Sequence, residues 1–209
     1  MASATKSSEV HRILERYLVE VVEAHELCPW ARSARTGGEL GIAILWGTPA
    51  IDQWVDAAAQ TLAPAIRVAM IVAPELEIAP AELRAVRDSV AARLPAAGVA
   101  DFHPAAALDL ATPARLVPFL RRSPDPMLQL VPLALLDRVR GAPAIAERAH
   151  QAQILGGHAA PPREDVATQI AAANHATVTA RHAAIAALLD EIAEDRRAAY
   201  ARAGITSCR

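Results

Sequence analysis

The segment IRVAMIVAP, residues 66–74, constrains the fold of this chain more than any other feature. An almost continuous apolar run of this length, ending at a proline, is typical of a strand that is covered on both faces. The segments ELGIAILWG (39–47), GVADFHP (98–104) and PMLQLVPL (126–133) predict further short strands. Helical patterns separate these strands along the chain. The sequence therefore predicts an α/β fold, in which a small, mostly apolar sheet of three or four strands is packed against helices.

Three helices are predicted within this region. The first begins at a capping serine, Ser7 or Ser8, and continues to about residue 27. Shorter helices are predicted over residues 52–62 and, from a favoured first-turn proline, over residues 80–94. Each helix is long enough to cover part of one face of the sheet.

The last third of the chain is predicted to be helical. The pattern turns helical at about residue 145, breaks at GGHAAPPRED (156–165) and resumes in a long C-terminal helix up to residue 203. We therefore expect an α/β core over residues 1–140. A C-terminal helical segment over residues 141–209 should pack on the same core, so that the chain forms a single domain.

Charge and composition exclude several classes of protein. A formal net charge of −2 gives no basic footprint for nucleic acid. No run approaches the roughly 18 apolar residues of a membrane span, and the N-terminal segment lacks the apolar core of a signal peptide. Two cysteines, Cys28 and Cys208, do not make a disulfide framework. We expect a cytoplasmic protein that binds neither nucleic acid nor membranes.

Cys28 is the first candidate for a reactive group. It ends an apolar stripe on the first helix, and Pro29 is incompatible with an unbroken helix through this point. The segment ARSARTGG (31–38) then predicts a loop, in which Arg32 and Arg35 favour the thiolate and bind an anionic substrate. A Cys-Pro pair can also offer its thiolate to haem iron. The alternative is a small buried hydrophobe at a helix C-terminus, where the dipole disfavours negative charge.

His103 is the second candidate, at the end of a predicted strand. Ligands of open α/β sheets gather beyond the carboxyl ends of the strands, which makes His103 a candidate acid, base or metal ligand. Asp101 and Asp109 are near it in sequence. A partly exposed loop histidine without a function is equally consistent with the pattern.

The segment FLRRSPDP, residues 119–126, is the densest polar motif. A proline-stiffened loop that holds Arg122 and Ser123 predicts a receptor for a carboxylate or phosphate group of a substrate. Asp125 is a candidate catalytic carboxylate beside them. The alternative is a structural turn in which Asp125 pairs with an arginine.

His175 and His182 lie on the apolar stripe of the C-terminal helix and are predicted to face the core. They are two turns apart, about 10 Å, and lack the i, i+4 spacing with which one helix chelates an ion. Either histidine could meet Cys28 or His103 across the fold and bind a transition metal or haem with it. The alternative is a pair of hydrogen-bonded core histidines.

Three short motifs resemble a known family. LCPWA (27–31), FHP (102–104) and RSPDP (122–126) follow one another in the order seen in the uncharacterised bacterial and plastid family catalogued as domain of unknown function 1415. The resemblance covers roughly residues 10–135. It supplies no reaction.

What the resemblance implies is a shared site for Cys28, His103 and Arg122. The chain is a divergent member, because Gln129 and Pro132 stand where the family often has histidine and arginine. The C-terminal helix is an addition to the family pattern.

Three functions are consistent with these residues. The favoured one is a small-molecule oxidoreductase that acts on an anionic substrate bound by Arg122 and uses a metal or haem centre. Its ligands would come from Cys28, His103, His175 and His182. The second is a cofactor-free enzyme with Cys28 as nucleophile and His103 or His25 as base. The third is a non-catalytic interaction module, with the alanine-rich C-terminal helix as a homodimer interface.

Overall fold

The structure is a computed structural model that describes residues 2–140 and 166–206. Its strands are β1 (Leu40–Ile44), β2 (Val68–Val72), β3 (Ala97–Phe102) and β4 (Met127–Pro132). A π-helix (Tyr17–Glu23) directly follows the first α-helix. The α-helices are α1 (Ala2–Arg16), α2 (Ala31–Thr36), α3 (Ile51–Thr61), α4 (Pro80–Arg93), α5 (Pro113–Leu120), α6 (Leu133–Arg140) and α7 (Val166–Ala203).

The strands form one mixed sheet in the order β1-β2-β4-β3. β1 and β2 are parallel, and α3 makes the crossover that a parallel pair requires. β4 lies antiparallel between β2 and β3 and pairs with both of them. The predicted α/β fold with a small apolar sheet and a long C-terminal helix is confirmed.

The two faces of β2 contact two separate groups of buried side chains. On the face that we call the front face, Met70 and Val72 pack with α1, the π-helix, α5 and α7. On the back face, Ala69 and Ile71 pack with α3 and α4, where Trp54 is the largest buried side chain. Burial on both faces is the reason that this strand has an almost continuous apolar sequence.

The first helical region differs from the prediction at both ends. α1 begins at Ala2, before the serines Ser7 and Ser8 that were expected to cap it. The backbone then widens into the π-helix, which ends at Glu23 rather than near residue 27. Glu26 follows in the left-handed region at φ 54, a conformation that stops a helix. Cys28 therefore lies in a turn after the helix.

The segment after Pro29 was predicted to be a loop, and this prediction was wrong. Residues Ala31–Thr36 form the short helix α2. The preceding helix has already ended at Glu23, so Pro29, with its fixed φ, lies in the turn just before α2 rather than ending a helix. Gly38, at φ 69, then leads the chain out of α2 towards β1.

The proline-rich stretch before β4 contains a helix that the sequence pattern did not predict. The Thr112 hydroxyl caps α5 by accepting a hydrogen bond from the backbone N–H of Arg115 at 3.2 Å. Pro113 occupies the first turn, where its missing N–H costs nothing. The helical start predicted at residue 145 and the break predicted over residues 156–165 lie outside the described residues.

α7 packs on the same core as the sheet. Val178, Ile185, Leu189 and Ile192 are no more than 6% exposed and join the buried cluster that contains Met70 of β2. The apolar stripe that was expected to form a homodimer interface is therefore covered within one chain. Although α7 is 38 residues long, neither it nor any other described helix is apolar enough to cross a membrane.

Candidate functional site

A cavity of about 390 Å³ opens over the front face of the sheet, a volume within the range of small-molecule sites. Leu40, Val68 and Met70 form part of its floor. Its walls come from the π-helix, the turn and helix α2 that follow it, α5 and α6. Most of the lining is apolar, and its polar or ionisable side chains are Tyr17, Cys28, Ser33, Arg67, Arg121 and Gln129.

Small residues on β3 help to make room for this cavity. Gly98 and Ala100 are the front-face partners of Val131 and Gln129 on β4. A Cβ atom at Gly98 would lie 2.8 Å from Cδ1 of Leu136, so the glycine allows α6 to approach the sheet. α6 thereby becomes one wall of the cavity rather than standing away from the sheet.

Cys28 lies in the wall, in the turn between the π-helix and α2. Burial raises the pKa of its thiol, an effect that the backbone N–H groups of Trp30 and Ala31 oppose without overcoming it. Tyr17 lines the cavity too, and its pKa is raised by burial and by the neighbouring Cys28. Both shifts favour the neutral forms of these groups, which argues against the thiolate predicted at Cys28.

Arg32 and Arg35 do not act on the Cys28 thiol, because both pair with Glu23. Arg35 donates from Nε to Oε1 of Glu23 at 2.6 Å and from a terminal nitrogen to Oε2 at 3.0 Å. Nε of Arg32 lies 3.5 Å from Oε2 of a glutamate side chain that is only 2% exposed. Arg35 lowers the pKa of Glu23. Neither arginine lines the cavity, so their predicted substrate-binding role has no support in its geometry.

Arg121 lines the cavity, and its guanidinium lies near Asp101 of β3 without a close hydrogen-bond acceptor in the part of the chain that the structure describes. Its terminal nitrogen lies 3.6 Å from Oδ1 of Asp101, and Arg87 lies 3.4 Å from the same oxygen. Within residues 2–140 and 166–206, this buried oxygen has no hydrogen-bond partner of proper geometry. Burial lowers the pKa of Arg121, but an arginine stays charged at any physiological pH. Arg121 is therefore a cation without a close carboxylate partner among the described residues.

Gln129 is a polar side chain in an otherwise apolar strand. On the front face it lies between Met70 of β2 and Ala100 of β3, and it lines the cavity. Its amide forms no hydrogen bond with another group in the described part of the chain. Ala100 precedes Asp101, the residue that Arg121 approaches. Because successive residues of a strand face opposite sides of the sheet, Asp101 points away from the face that carries Gln129.

Arg67 is the second guanidinium of the cavity, but its charge is balanced. Its Nε lies 2.9 Å from Oε1 of Glu39, and its side chain is 57% exposed. The pair joins the chain segments just before β1 and β2. Arg121 is thus the better candidate for binding an anionic ligand.

His103 forms hydrogen bonds with backbone atoms and does not line the cavity. Its Nδ1 accepts a hydrogen bond from the N–H of Ala105 at 3.0 Å, which leaves Nε2 to donate to the carbonyl oxygen of Ile78 at 2.9 Å. Both ring nitrogens of His103 are therefore hydrogen-bonded to backbone atoms. This geometry does not support the predicted role of His103 as an acid, a base or a metal ligand. Phe102, its neighbour, lines the cavity instead.

Two of the three predicted motifs line the cavity, and the third reaches it only through the residue that precedes it, Arg121. Arg122 donates to Oδ1 of Asp190 on α7 at 2.9 Å and lies outside the cavity, whereas Arg121 lines it. The cavity thus receives Cys28 from the first motif, Phe102 from the second and Arg121 from the residue directly before the third.

Asp125 and Ser123 form buried structural contacts. The geometry does not support the predicted catalytic role of Asp125 or the predicted substrate-binding role of Ser123. Both are 3% exposed, and the Ser123 hydroxyl donates to the carbonyl oxygen of Asp125 at 2.6 Å. Arg196 of α7 donates from Nε to Oδ1 of Asp125 at 2.6 Å, and the Tyr200 hydroxyl donates to Oδ2 at 2.7 Å. A terminal nitrogen of Arg196 also donates to the carbonyl oxygen of Pro74 at 3.0 Å. Each carboxylate oxygen of Asp125 thus accepts a hydrogen bond from α7, and burial keeps the side chain away from a substrate.

The predicted metal ligands do not share a site. Nε2 of His175 lies 2.9 Å from the carbonyl oxygen of Leu110, and Nδ1 of His182 lies 3.2 Å from that of Thr179. Both rings are partly exposed rather than facing the core. Within the described ranges, no three His, Cys, Asp or Glu side chains are arranged to bind one ion. Cys28 is the one member of the predicted set that lines the cavity.

His25, the alternative base for Cys28, does not line the cavity. Its Nδ1 is buried without a hydrogen-bond partner among the described residues. Burial and the nearby Arg181 lower its pKa.

Two residues of the cavity escaped the sequence reasoning. Gln129 carried a usable signal, because it is a single amide within an apolar strand, yet it was noted only as a departure from a family pattern. Tyr17 carried no signal of a role in a site, since a tyrosine on an apolar helix stripe is most often a core residue.

Comparison of the chain with protein-family models, with curated proteins and with solved structures gave no match. The resemblance to domain of unknown function 1415 stays a prediction. Functional inference therefore depends on the residues of the cavity.

Proposed function

We propose that the protein binds a small amphipathic carboxylate, with the carboxylate on Arg121 and the apolar part in the cavity. One observation carries the proposal: Arg121 lines a mostly apolar cavity, and the carboxylate nearest to its guanidinium among the described residues, that of Asp101, lies 3.6 Å away and is shared with Arg87. The planar fork of a guanidinium matches the two oxygens of a carboxylate. A ligand carboxylate would give Arg121 a closer acceptor than any that the described residues provide.

The size and lining of the cavity define the rest of the ligand. A volume of about 390 Å³ has room for roughly a dozen non-hydrogen atoms, at ~30 Å³ for each water-sized group. Leu18, Val22, Val68 and Phe102 offer apolar surface to a chain or ring. Each CH₂ group that is buried there would contribute about 0.8 kcal/mol. These features favour an acid of about eight to ten carbons.

The charge of the cavity favours a carboxylate over a phosphate. A phosphate dianion needs several strong donors or cations around it. Arg67 is balanced by Glu39 at 2.9 Å, whereas Arg121 has no carboxylate closer than 3.6 Å among the described residues. One guanidinium suits a monoanion.

The oxidoreductase with a metal or haem centre stays a prediction. His103, His175 and His182 each direct a ring nitrogen at a backbone carbonyl, which weakens their candidacy as ligands. Cys28 remains a possible single ligand from the cavity wall. Metal analysis and the visible absorption spectrum of the purified protein test this separately from carboxylate binding.

Titration calorimetry with octanoate and octan-1-ol tests the proposed function. These probes share a chain length and differ in charge. We expect the wild-type protein to prefer octanoate, and Arg121→Met to weaken octanoate binding by about 10-fold or more, the value of a charge-assisted hydrogen bond. Binding of octan-1-ol should change little in this variant.

Arg122→Met is the matched control, because it removes the neighbouring guanidinium, which pairs with Asp190 outside the cavity. It should bind octanoate as the wild-type protein does. Equal losses in the two variants, or no binding of octanoate by the wild-type protein, would refute the proposal.

A further inference from the structure

Tyr17 carries a buried hydroxyl group that packing does not explain. The residue lines the cavity and is only 2% exposed. Its hydroxyl forms no hydrogen bond with another residue in the described part of the chain. A buried tyrosine hydroxyl usually has a partner, because a polar group that loses water without gaining a hydrogen bond costs free energy. The partner of the Tyr17 hydroxyl is therefore to be sought in a ligand.

The hydroxyl of Tyr17 reaches the cavity. Among the described residues, the side-chain atoms that are sealed from solvent without a partner belong to His25, Arg87 and Asp101. The Tyr17 oxygen is not one of them, so the small surface that this residue exposes includes its hydroxyl. The Cys28 thiol in the cavity wall is near enough to raise the pKa of Tyr17. Because this effect acts on the hydroxyl, the hydroxyl and the thiol belong to the same part of the wall.

The π-helix brings the hydroxyl to this wall. Tyr17 is its first residue, and Leu18 and Val22 of the same segment also line the cavity. Widened helical turns of this kind occur frequently at functional sites. The segment that departs from regular α-helical geometry is thus the one that shapes the wall around the hydroxyl.

The chemistry of the two groups selects an uncharged oxygen atom. A phenol hydroxyl donates one hydrogen bond and also accepts, and a neutral thiol adds a weak S–H donor beside it. The backbone N–H groups of Trp30 and Ala31 are directed at the sulfur of Cys28, which uses its acceptor side and leaves its hydrogen. The oxygen of a keto or hydroxyl group matches these donors, whereas a hydrocarbon would leave both without a partner.

We infer that the apolar part of the ligand carries a keto or hydroxyl oxygen, which accepts a hydrogen bond from the hydroxyl of Tyr17. This inference rests on the proposed function only in taking the cavity as the ligand site, and it does not depend on Arg121. Tyr17 is then the residue that distinguishes an oxygen-bearing ligand from a plain hydrocarbon chain or ring.

Titration calorimetry with acetophenone, 1-phenylethanol and ethylbenzene tests the inference without any carboxylate. These probes share one carbon skeleton and carry a keto oxygen, a hydroxyl oxygen and no oxygen. We expect Tyr17→Phe to weaken the binding of acetophenone, 1-phenylethanol or both by about 5-fold, the value of one neutral hydrogen bond. Ethylbenzene should bind this variant at least as tightly as it binds the wild-type protein.

Tyr200→Phe is the matched control, because it removes the hydroxyl of a buried tyrosine outside the cavity that donates to Asp125 at 2.7 Å. It should lower the melting temperature of the ligand-free protein and leave the binding of the three probes unchanged. Tyr17→Phe should keep or raise the melting temperature, since the hydroxyl that it removes has no partner in the ligand-free chain.

The outcomes separate this inference from the proposed function. Equal binding of both oxygen-bearing probes to the wild-type protein and to Tyr17→Phe would overturn it, as would no binding of these probes by the wild-type protein. A melting temperature that falls in Tyr17→Phe as it does in Tyr200→Phe would show a structural partner for the hydroxyl and would also overturn it. Octanoate binding that Arg121→Met leaves unchanged would overturn only the proposed function.

Discussion

Asp125 accepts a hydrogen bond at 2.6 Å from Arg196, 71 residues further along the chain. The Tyr200 hydroxyl donates to the other oxygen of the same carboxylate at 2.7 Å. Burial raises the pKa of Asp125, and its two partners oppose this by stabilising the charged form. The contact joins the loop before β4 to the C-terminal helix, so it fixes two parts of the core that are distant in sequence.

Removal of this carboxylate should strongly destabilise the protein. We expect Asp125→Ala to lower the free energy of unfolding by about 3–5 kcal/mol, because it leaves the buried guanidinium of Arg196 without its carboxylate. Urea denaturation at pH 7 measures the change. Asp190→Ala, which removes the more exposed partner of Arg122, is the control and should cost less than about 1 kcal/mol. Similar losses of unfolding free energy in the two variants would argue against a special stabilising role for the contacts of Asp125.

Acid should remove part of the stability through Asp195. This carboxylate lies 2.7 Å from Arg12 and 2.8 Å from Arg16, and these arginines lower its pKa. A carboxyl group with a lowered folded pKa stabilises the protein above its unfolded pKa, about 3.9, and loses this effect as the pH falls through the folded value. The stability difference between the wild-type protein and Asp195→Asn should therefore be largest above pH 5 and shrink towards pH 2.

Urea titrations at several pH values between 2 and 6 measure this difference. Asp190→Asn is a suitable comparison, because it neutralises a more exposed aspartate on the same helix. A difference between Asp195→Asn and the wild-type protein that stays constant over this pH range would contradict the role of the two arginines.

Cys28 should react slowly with iodoacetamide. Burial raises the pKa of its thiol, so the alkylation rate in a Cys208→Ser background should rise with a midpoint above the ordinary cysteine value of about 8.5. Mass spectrometry follows the labelling. Because the thiol lines the cavity, saturating octanoate should slow the reaction further.

The same protein unfolded in urea provides the reference for Cys28, with an ordinary pH midpoint and no effect of octanoate. A midpoint below that of the unfolded protein would indicate an activated thiolate. It would restore the hypothesis of a cysteine nucleophile.

Most of the sheet could be predicted from the sequence, because its strands are short apolar segments bounded by glycine or proline. The almost continuous apolar sequence of β2, which includes Ala69 and Met70, indicated that the strand is buried on both faces. The order of the strands could not be predicted, since pairing of β4 between β2 and β3 depends on contacts that no local pattern records. The π-helix after Arg16 was missed for a similar reason, as its sequence has the same apolar periodicity as an α-helix.

The candidate site could be predicted only at the level of segments. The motifs around Cys28, Phe102 and Arg121 do meet at the cavity. Which side chain of each motif faces the cavity depends on the alternation of side chains along β3 and on the residue at which α5 ends. A shift of one residue along β3 would put His103 in the place of Phe102. The hydrogen-bond partners of the polar side chains could not be predicted from the sequence either. The polar groups of Asp125 and His103 are engaged by Arg196 and by backbone atoms.

The position of β4 between β2 and β3 has a consequence for synthesis on the ribosome. Among the strands that the structure describes, β3 pairs with β4 alone, so residues 97–102 have no strand partner until residues 127–132 have emerged. During that interval one edge of β2 and both edges of β3 are open to pairing with other chains. Nascent chains that stall between these two strands should therefore be the ones that aggregate or recruit chaperones.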